Sequence, residues 1–399
     1  MRIHIRAARH LDPLDGRDEV ADLFLADGCI IAHGQAPAGF QAERVIEAGG
    51  LAVLPGLTDL AAQLGADPRR EGRAALSGGV VRLVLPAEAP DGPGMPRSLR
   101  LGPMLDAAGR LSAMAGLLDQ GCAGIALGDA PLPGSALLWR AMQYAADLGA
   151  TLWLRPEDAG LAAGGVMAAG AYATRLGLPG IPEQAEVLAL HTLFTLQRAT
   201  GARLHLCRLS SATGIALLRA ARAEGLPVTA DASIHHLHLT DLDIGFYDSR
   251  CHLRPPLRGQ RDREAIAQAL ADGTLDALCS DHRPLGAAEK AGPFAETSPG
   301  ASGVELLLPL ALKWARARGL APARALACVT LGPARVLGLP APSLAPGAPA
   351  DLCLVDLDDE RRVAEMQSGS AQTPFAGMML PGRVRATLIG GNILWEMPA

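Results

Sequence analysis

Short apolar runs of strand length alternate along this chain with stretches of helical periodicity, and this alternation constrains the fold more than any other feature. The runs cover residues 53–59, 80–85, 124–127, 151–154, 203–209, 227–232 and 275–280, with a weaker one near Leu99. A run that is apolar throughout, rather than at every second residue, suits a strand covered on both faces. Helical segments lie between them, such as 135–148, 182–200, 212–224 and 263–272. Each is followed by a glycine (Gly149, Gly201, Gly225, Gly273) placed to end a helix in the left-handed conformation. Parallel neighbours need a crossover, so the alternation predicts a parallel α/β sheet, and eight units predict a sheet closed into a (β/α)8 barrel. An open doubly wound sheet is the competing architecture, but no GxGxxG follows the first strand.

The two ends of the chain read differently. Residues 20–25 and 29–33 are apolar runs joined by Ala26-Asp27-Gly28, and Asp-Gly supplies the positive φ of a tight hairpin. Residues 351–357 and 386–395 are strand-like, the latter interrupted by the turn signal Gly390-Gly391-Asn392. The expected organisation is therefore a composite β-domain, residues 1–52 plus 345–399, beside a barrel over 53–344.

Composition excludes several roles. With 36 basic against 41 acidic residues, a net charge of −5 and 3% aromatic residues, the chain lacks the cationic stripe and stacking rings that nucleic-acid binding needs. The least charged long stretch, 159–174, is Gly/Ala-rich and too weakly apolar to span a bilayer, so no membrane partner is expected. Seven scattered cysteines without a CxxC pair, and no recognisable signal peptide, favour the cytoplasm. Only Lys290 and Lys313 are lysines, so chemistry that needs a lysine before residue 290 is impossible.

Chemistry in such barrels sits at the C-terminal ends of the strands. The first strand ends Pro55-Gly56-Leu57-Thr58-Asp59-Leu60-Ala61-Ala62-Gln63-Leu64. Later come Leu204-His205-Leu206-Cys207-Arg208-Leu209-Ser210-Ser211, His235-His236-Leu237-His238-Leu239-Thr240, Pro255-Pro256-Leu257-Arg258, Asp262-Arg263-Glu264, Ser280-Asp281-His282-Arg283-Pro284 and Thr373-Pro374-Phe375-Ala376-Gly377. These ordered motifs resemble the dihydroorotases and related cyclic amidohydrolases over nearly the whole chain. The resemblance implies an amidohydrolase barrel with a small β-domain built from both termini.

It also implies a zinc centre, and there the sequence departs from the family. Ala61 and Gln63 stand where the family places a His-x-His pair. Leu127 or Gly128 occupies the position of the strand-four bridging ligand, Arg155 and Arg208 replace single histidines after strands five and six, and Asp281 alone matches. A methyl group cannot coordinate, and an amide oxygen is a poor zinc ligand. A guanidinium about 4 Å from a divalent ion repels it by roughly 8 kcal/mol at an effective dielectric near 20. The family's substrate-holding positions carry Gly65, Ala87 and Arg254. No catalytic residue, no substrate-binding residue, no metal and no cofactor are therefore expected.

Blander roles suit the remaining candidates. Asp129 reads as a loop acid, and Cys207 and Cys279 as small buried residues. His235, His236, His238, His252 and His282 read as packing or anchoring groups, a relocated metal site around His236, His238 and His252 being the alternative. Arg155, Arg208 and Asp281 are expected to form a salt bridge across the mouth, with leftover positive charge that attracts water or a small anion.

An intact fold with deleted chemistry resembles the inactive dihydroorotase-like chains that accompany aspartate carbamoyltransferase in some bacteria. The expected function is that of a non-catalytic subunit of this transferase in pyrimidine biosynthesis. Its expected assembly is a homodimer or a larger hetero-oligomer with the transferase's catalytic chain. The alternatives are an active cyclic amidohydrolase with an atypical metal site and an anion-sensing barrel.

Overall fold

Eight parallel strands form one sheet in the computed structural model, which describes residues 1–398. They are β1 (Leu57–Asp59), β2 (Val80–Pro86), β3 (Arg97–Pro103), β4 (Gly124–Ala126), β5 (Thr151–Leu154), β6 (Arg203–Leu206), β7 (Val228–Ser233) and β8 (Ala277–Cys279), adjacent in chain order. Every neighbouring pair runs parallel. The ring is completed just beyond the strands, where the Gln63 amide donates to the His282 carbonyl (2.9 Å) and the His282 amide to that of Ala61 (3.1 Å). Below this, Asp59 accepts the Ser280 amide on Oδ1 (2.9 Å) and the Ser280 hydroxyl on Oδ2.

Helices cover the outside where the periodicity placed them, at Ser135–Asp147, Gln184–Thr200, Ala212–Ala223 and Gln260–Asp272. The four glycines beyond them have φ of 64°, 69°, 82° and 83°, the left-handed region that glycine enters without a Cβ penalty. The helix α1 (Pro68–Ser77) follows β1. Asp67 caps it by accepting the Arg70 amide (3.1 Å), and Pro68 fills a first-turn position that needs no amide donor. Leucines such as Leu152, Leu204 and Leu278 are fully buried in the main core. Each contributes about 1.5–3 kcal/mol relative to exposure.

The stretch 53–59 is two strands rather than the single expected one. Ala52–Pro55 pairs parallel with Ile3–Asp12 and antiparallel with Leu352–Arg362, in a second sheet, and β1 begins only after Gly56. A Cβ on Gly56 would sit 2.4 Å from Val81 Cγ1, so the chain crosses between sheets where no side chain fits. That second, mostly antiparallel sheet of eight strands combines the two chain ends, with its own core around Ile3, Ile5, Leu23, Val53, Leu352 and Leu388. Asp27 and Gly28 form the expected positive-φ hairpin, and Gly390 and Gly391 turn Met379–Ile389 back into Asn392–Glu396. Among the described residues, no helix is long and apolar enough to cross a membrane.

Candidate functional site

A cavity of about 380 Å³ opens at the C-terminal ends of the barrel strands. Its walls are largely apolar, with Leu60, Val84, Leu101 and Trp153 among them, and its charged groups include Glu88 after β2, Asp129 after β4, Arg208 after β6, Asp231 on β7, and Asp281 and Arg283 after β8. Arg208 is at the centre. It follows β6, and its guanidinium donates from Nη1 to Asp281 Oδ1 (2.8 Å) and from Nη2 to Asp129 Oδ1 (2.7 Å). Arg208 and Asp281 are non-glycine residues with φ of 56° and 50°, a left-handed backbone that costs on the order of 1–2 kcal/mol each. Asp231 on β7 fixes this conformation, because its Oδ1 accepts the Arg208 amide (2.7 Å) while its Oδ2 pairs with His205 Nε2 (3.0 Å).

Arg155 does not reach Asp281 as expected. Its Nη1 bonds Glu157, two residues on and therefore on the same side of an extended segment, and its Nη2 donates to the Asp129 carbonyl. Glu157 also accepts Arg254 Nε (3.0 Å), so both arginines share one buried acid. Asp129 is no loop bystander either. Besides Arg208 it accepts Gln63 Nε2 (3.1 Å) and lies 3.5 Å from Arg283 Nη1. Burial alone would raise the Asp129 carboxyl, but the Arg208 guanidinium overrides that and, with Arg155 and Arg283, holds its pKa down at about 2. The expected positive excess, counted from two arginines and one aspartate, misses Asp129 and Glu157. Every arginine lining or flanking the mouth here has a carboxylate partner.

These residues do not fit a divalent metal at the barrel mouth. Ala61 offers no donor, Gln63 turns its amide N–H onto Asp129, and Leu127 and Gly128 bring no ligand to the fourth strand's end. Asp281, the family ligand that remains, is already neutralised by Arg208. Gly65 and Ala87 do not line the cavity, whereas Arg254 does.

The histidines do not converge. His236 Nε2 bonds the Pro256 carbonyl (3.2 Å), His238 Nε2 the Leu310 carbonyl (2.9 Å), and His252 Nδ1 the Thr297 hydroxyl (2.9 Å). Burial pushes His235, His238 and His252 down to about 4, so these rings stay neutral at physiological pH. His235 stacks on Phe375, and His282 bridges Glu71 Oε2 (3.0 Å) on α1 and the Gly303 amide (3.1 Å). Among the described residues, the three groups that do lie within 4.8 Å of one another are His205, Cys207 and Asp231, in the layer below Arg208. Their hydrogen bonds are internal: His205 Nδ1 meets Thr229 Oγ1 (2.9 Å) and Nε2 meets Asp231. Burial raises both the Cys207 and Cys279 thiols, which keeps them protonated.

Comparison with known proteins agrees with this architecture. The model of the amidohydrolase family matches residues 167–394. A dihydroorotase-like protein of Pseudomonas aeruginosa is 39% identical, over 99% of this chain and 100% of its own, and one of Pseudomonas putida is 38% identical, over 98% and 99%. A dihydroorotase of Anaeromyxobacter dehalogenans (strain 2CP-1) is 35% identical, over 99% and 98%. Among solved structures, the L-hydantoinase (dihydropyrimidinase) of Arthrobacter aurescens superposes with a TM-score of 0.84 at 22% identity, covering 99% of this chain and 96% of that one. At that identity the likeness concerns the fold.

Proposed function

The chain belongs to the amidohydrolase family, in its dihydroorotase-like branch, and from that premise we propose that it is a non-catalytic cytoplasmic subunit supporting the assembly and activity of aspartate carbamoyltransferase in pyrimidine biosynthesis. One observation carries the reading: the Arg208 guanidinium is clamped between Asp129 and Asp281, where the resemblance calls for a metal cluster. Opening a cyclic amide requires an activated water, and the carboxylates at the centre of this mouth are not free to activate one. Asp129 and Asp281 are tied to Arg208, Asp231 is tied to His205 and the Arg208 amide, Glu88 is exposed to solvent, and the Cys207 thiol is held protonated. A barrel whose packing persists while its mouth chemistry is replaced suits a chain kept for its outer surfaces.

The competing reading is an amidohydrolase with an atypical centre. It is favoured by relatives named dihydroorotase and by the proximity of His205, Cys207 and Asp231. Co-expression with the aspartate carbamoyltransferase of the same organism tests the proposal. One co-eluting complex is expected, with a transferase that is poorly active or wrongly assembled when made alone. A stable, fully active transferase that ignores this chain would refute the subunit role.

A further inference from the structure

A second concavity, of about 260 Å³, lies away from the barrel mouth, where α1 packs against the composite sheet. Its walls include Arg73 and Ser77 from α1, Arg361 and Arg383 from the sheet strands Leu352–Arg362 and Met379–Ile389, Gln367, and the half-buried indole of Trp395. Ser77 is the last residue of α1, just before the chain enters β2, so the cleft belongs to the end of the barrel opposite the mouth.

Charge makes this cleft unusual. Among the described residues neither Arg73 nor Arg361 has a carboxylate within 4.0 Å. Arg383 has only Asp359, at 3.5 Å, and that carboxylate is already bound more closely by Arg385 (2.9 Å). Three guanidiniums thus share one acid that is largely committed elsewhere, in a protein whose formal net charge is −5 and whose mouth arginines are all paired. Like charges gathered in a concavity repel one another, and low-dielectric walls focus their field. A ligand that carries several negative charges close together removes that repulsion. Guanidinium forks match phosphoryl oxygens in pairs, and the Trp395 face supplies an apolar wall beside them.

We infer that this cleft binds a phosphorylated small molecule with two or more adjacent phosphoryl charges, as an effector site separate from the barrel mouth. Its charge pattern is independent of whether the mouth is catalytic.

Titration calorimetry of the full chain with inorganic pyrophosphate at low ionic strength tests this, with tryptophan fluorescence recorded in parallel. Saturable binding at one site per chain is expected, together with a fluorescence change that Trp395→Phe abolishes. The double variant Arg73→Met with Arg361→Met should weaken binding by about tenfold or more, and citrate should bind about tenfold more weakly than pyrophosphate. Arg73 is exposed on α1, and a second measurement covers any folding defect: in the wild type, added salt should weaken pyrophosphate binding steeply. No saturable binding, affinity unchanged in the double variant or insensitive to salt, or citrate binding as tightly as pyrophosphate would each overturn the assignment.

Discussion

At Arg208 a left-handed backbone and a largely buried guanidinium coincide, and neighbouring groups hold both in place. The Asp231 carboxylate fixes the backbone amide, and Asp129 and Asp281 neutralise the side chain. Removing the cation leaves two facing carboxylates, so Arg208→Met should cost about 3–5 kcal/mol, read as a lowered melting temperature at neutral pH. The pH dependence has a definite sign. A carboxyl whose folded-state pKa is depressed contributes stability that is fully present above its unfolded value near 4 and is lost as pH falls toward about 2. The gap between wild type and Arg208→Met should therefore be widest near neutral pH and shrink in acid; a gap constant down to pH values of about 3 would show that Asp129 is not held by Arg208. Arg208 and Asp281 were legible in the sequence because they stand directly at strand ends. Asp129 was not, because Gly128, at φ 72°, turns the chain so that the next residue points into the mouth. Arg155 was placed at the right strand end with the wrong partner. Its choice depends on Glu157, the nearest buried acid, and strand-end spacing says nothing about that competition.

At the scale of elements, the seam between β1 and β8 joins backbone bonds around His282 to one buried carboxylate, Asp59. Burial pushes Asp59 up to about 6 despite its bonds from Ser280 and Ala61. A carboxyl with a raised folded-state pKa stabilises the fold below its unfolded value, and that contribution is lost as pH rises through about 6. Asp59→Asn keeps an acceptor for the Ser280 amide and carries no charge, so its stability should be flatter than that of the wild type between pH values of about 4 and 7. Parallel curves in denaturant titrations across that range would contradict this account of the seam. The barrel itself was legible because apolar strands and glycine-terminated helices follow from local physics. Two boundaries were not. Gly56 divides the stretch 53–59, which reads as one strand, because Val81 occupies its side-chain space, and Leu352–Arg362 extends beyond the apolar stretch because its polar end still pairs with Met379 and Leu380.

In the molecule as a whole, scaffold and chemistry part company: two sheets and their helices are preserved as in the amidohydrolases, while the mouth is an arginine–carboxylate network. Repairing part of the mouth should not restore a metal centre. Ala61→His with Gln63→His would still leave Arg208 on Asp281 and no bridging ligand at β4, so this variant should gain no stoichiometric zinc by elemental analysis, and tight zinc in it would show that the guanidinium is no barrier. Whether the mouth is catalytic is decided by assaying the interconversion of carbamoyl aspartate and dihydroorotate by the purified full chain supplied with zinc. The expected rate is no higher than without protein. Turnover that rises with protein concentration and disappears in Asp281→Ala would contradict it.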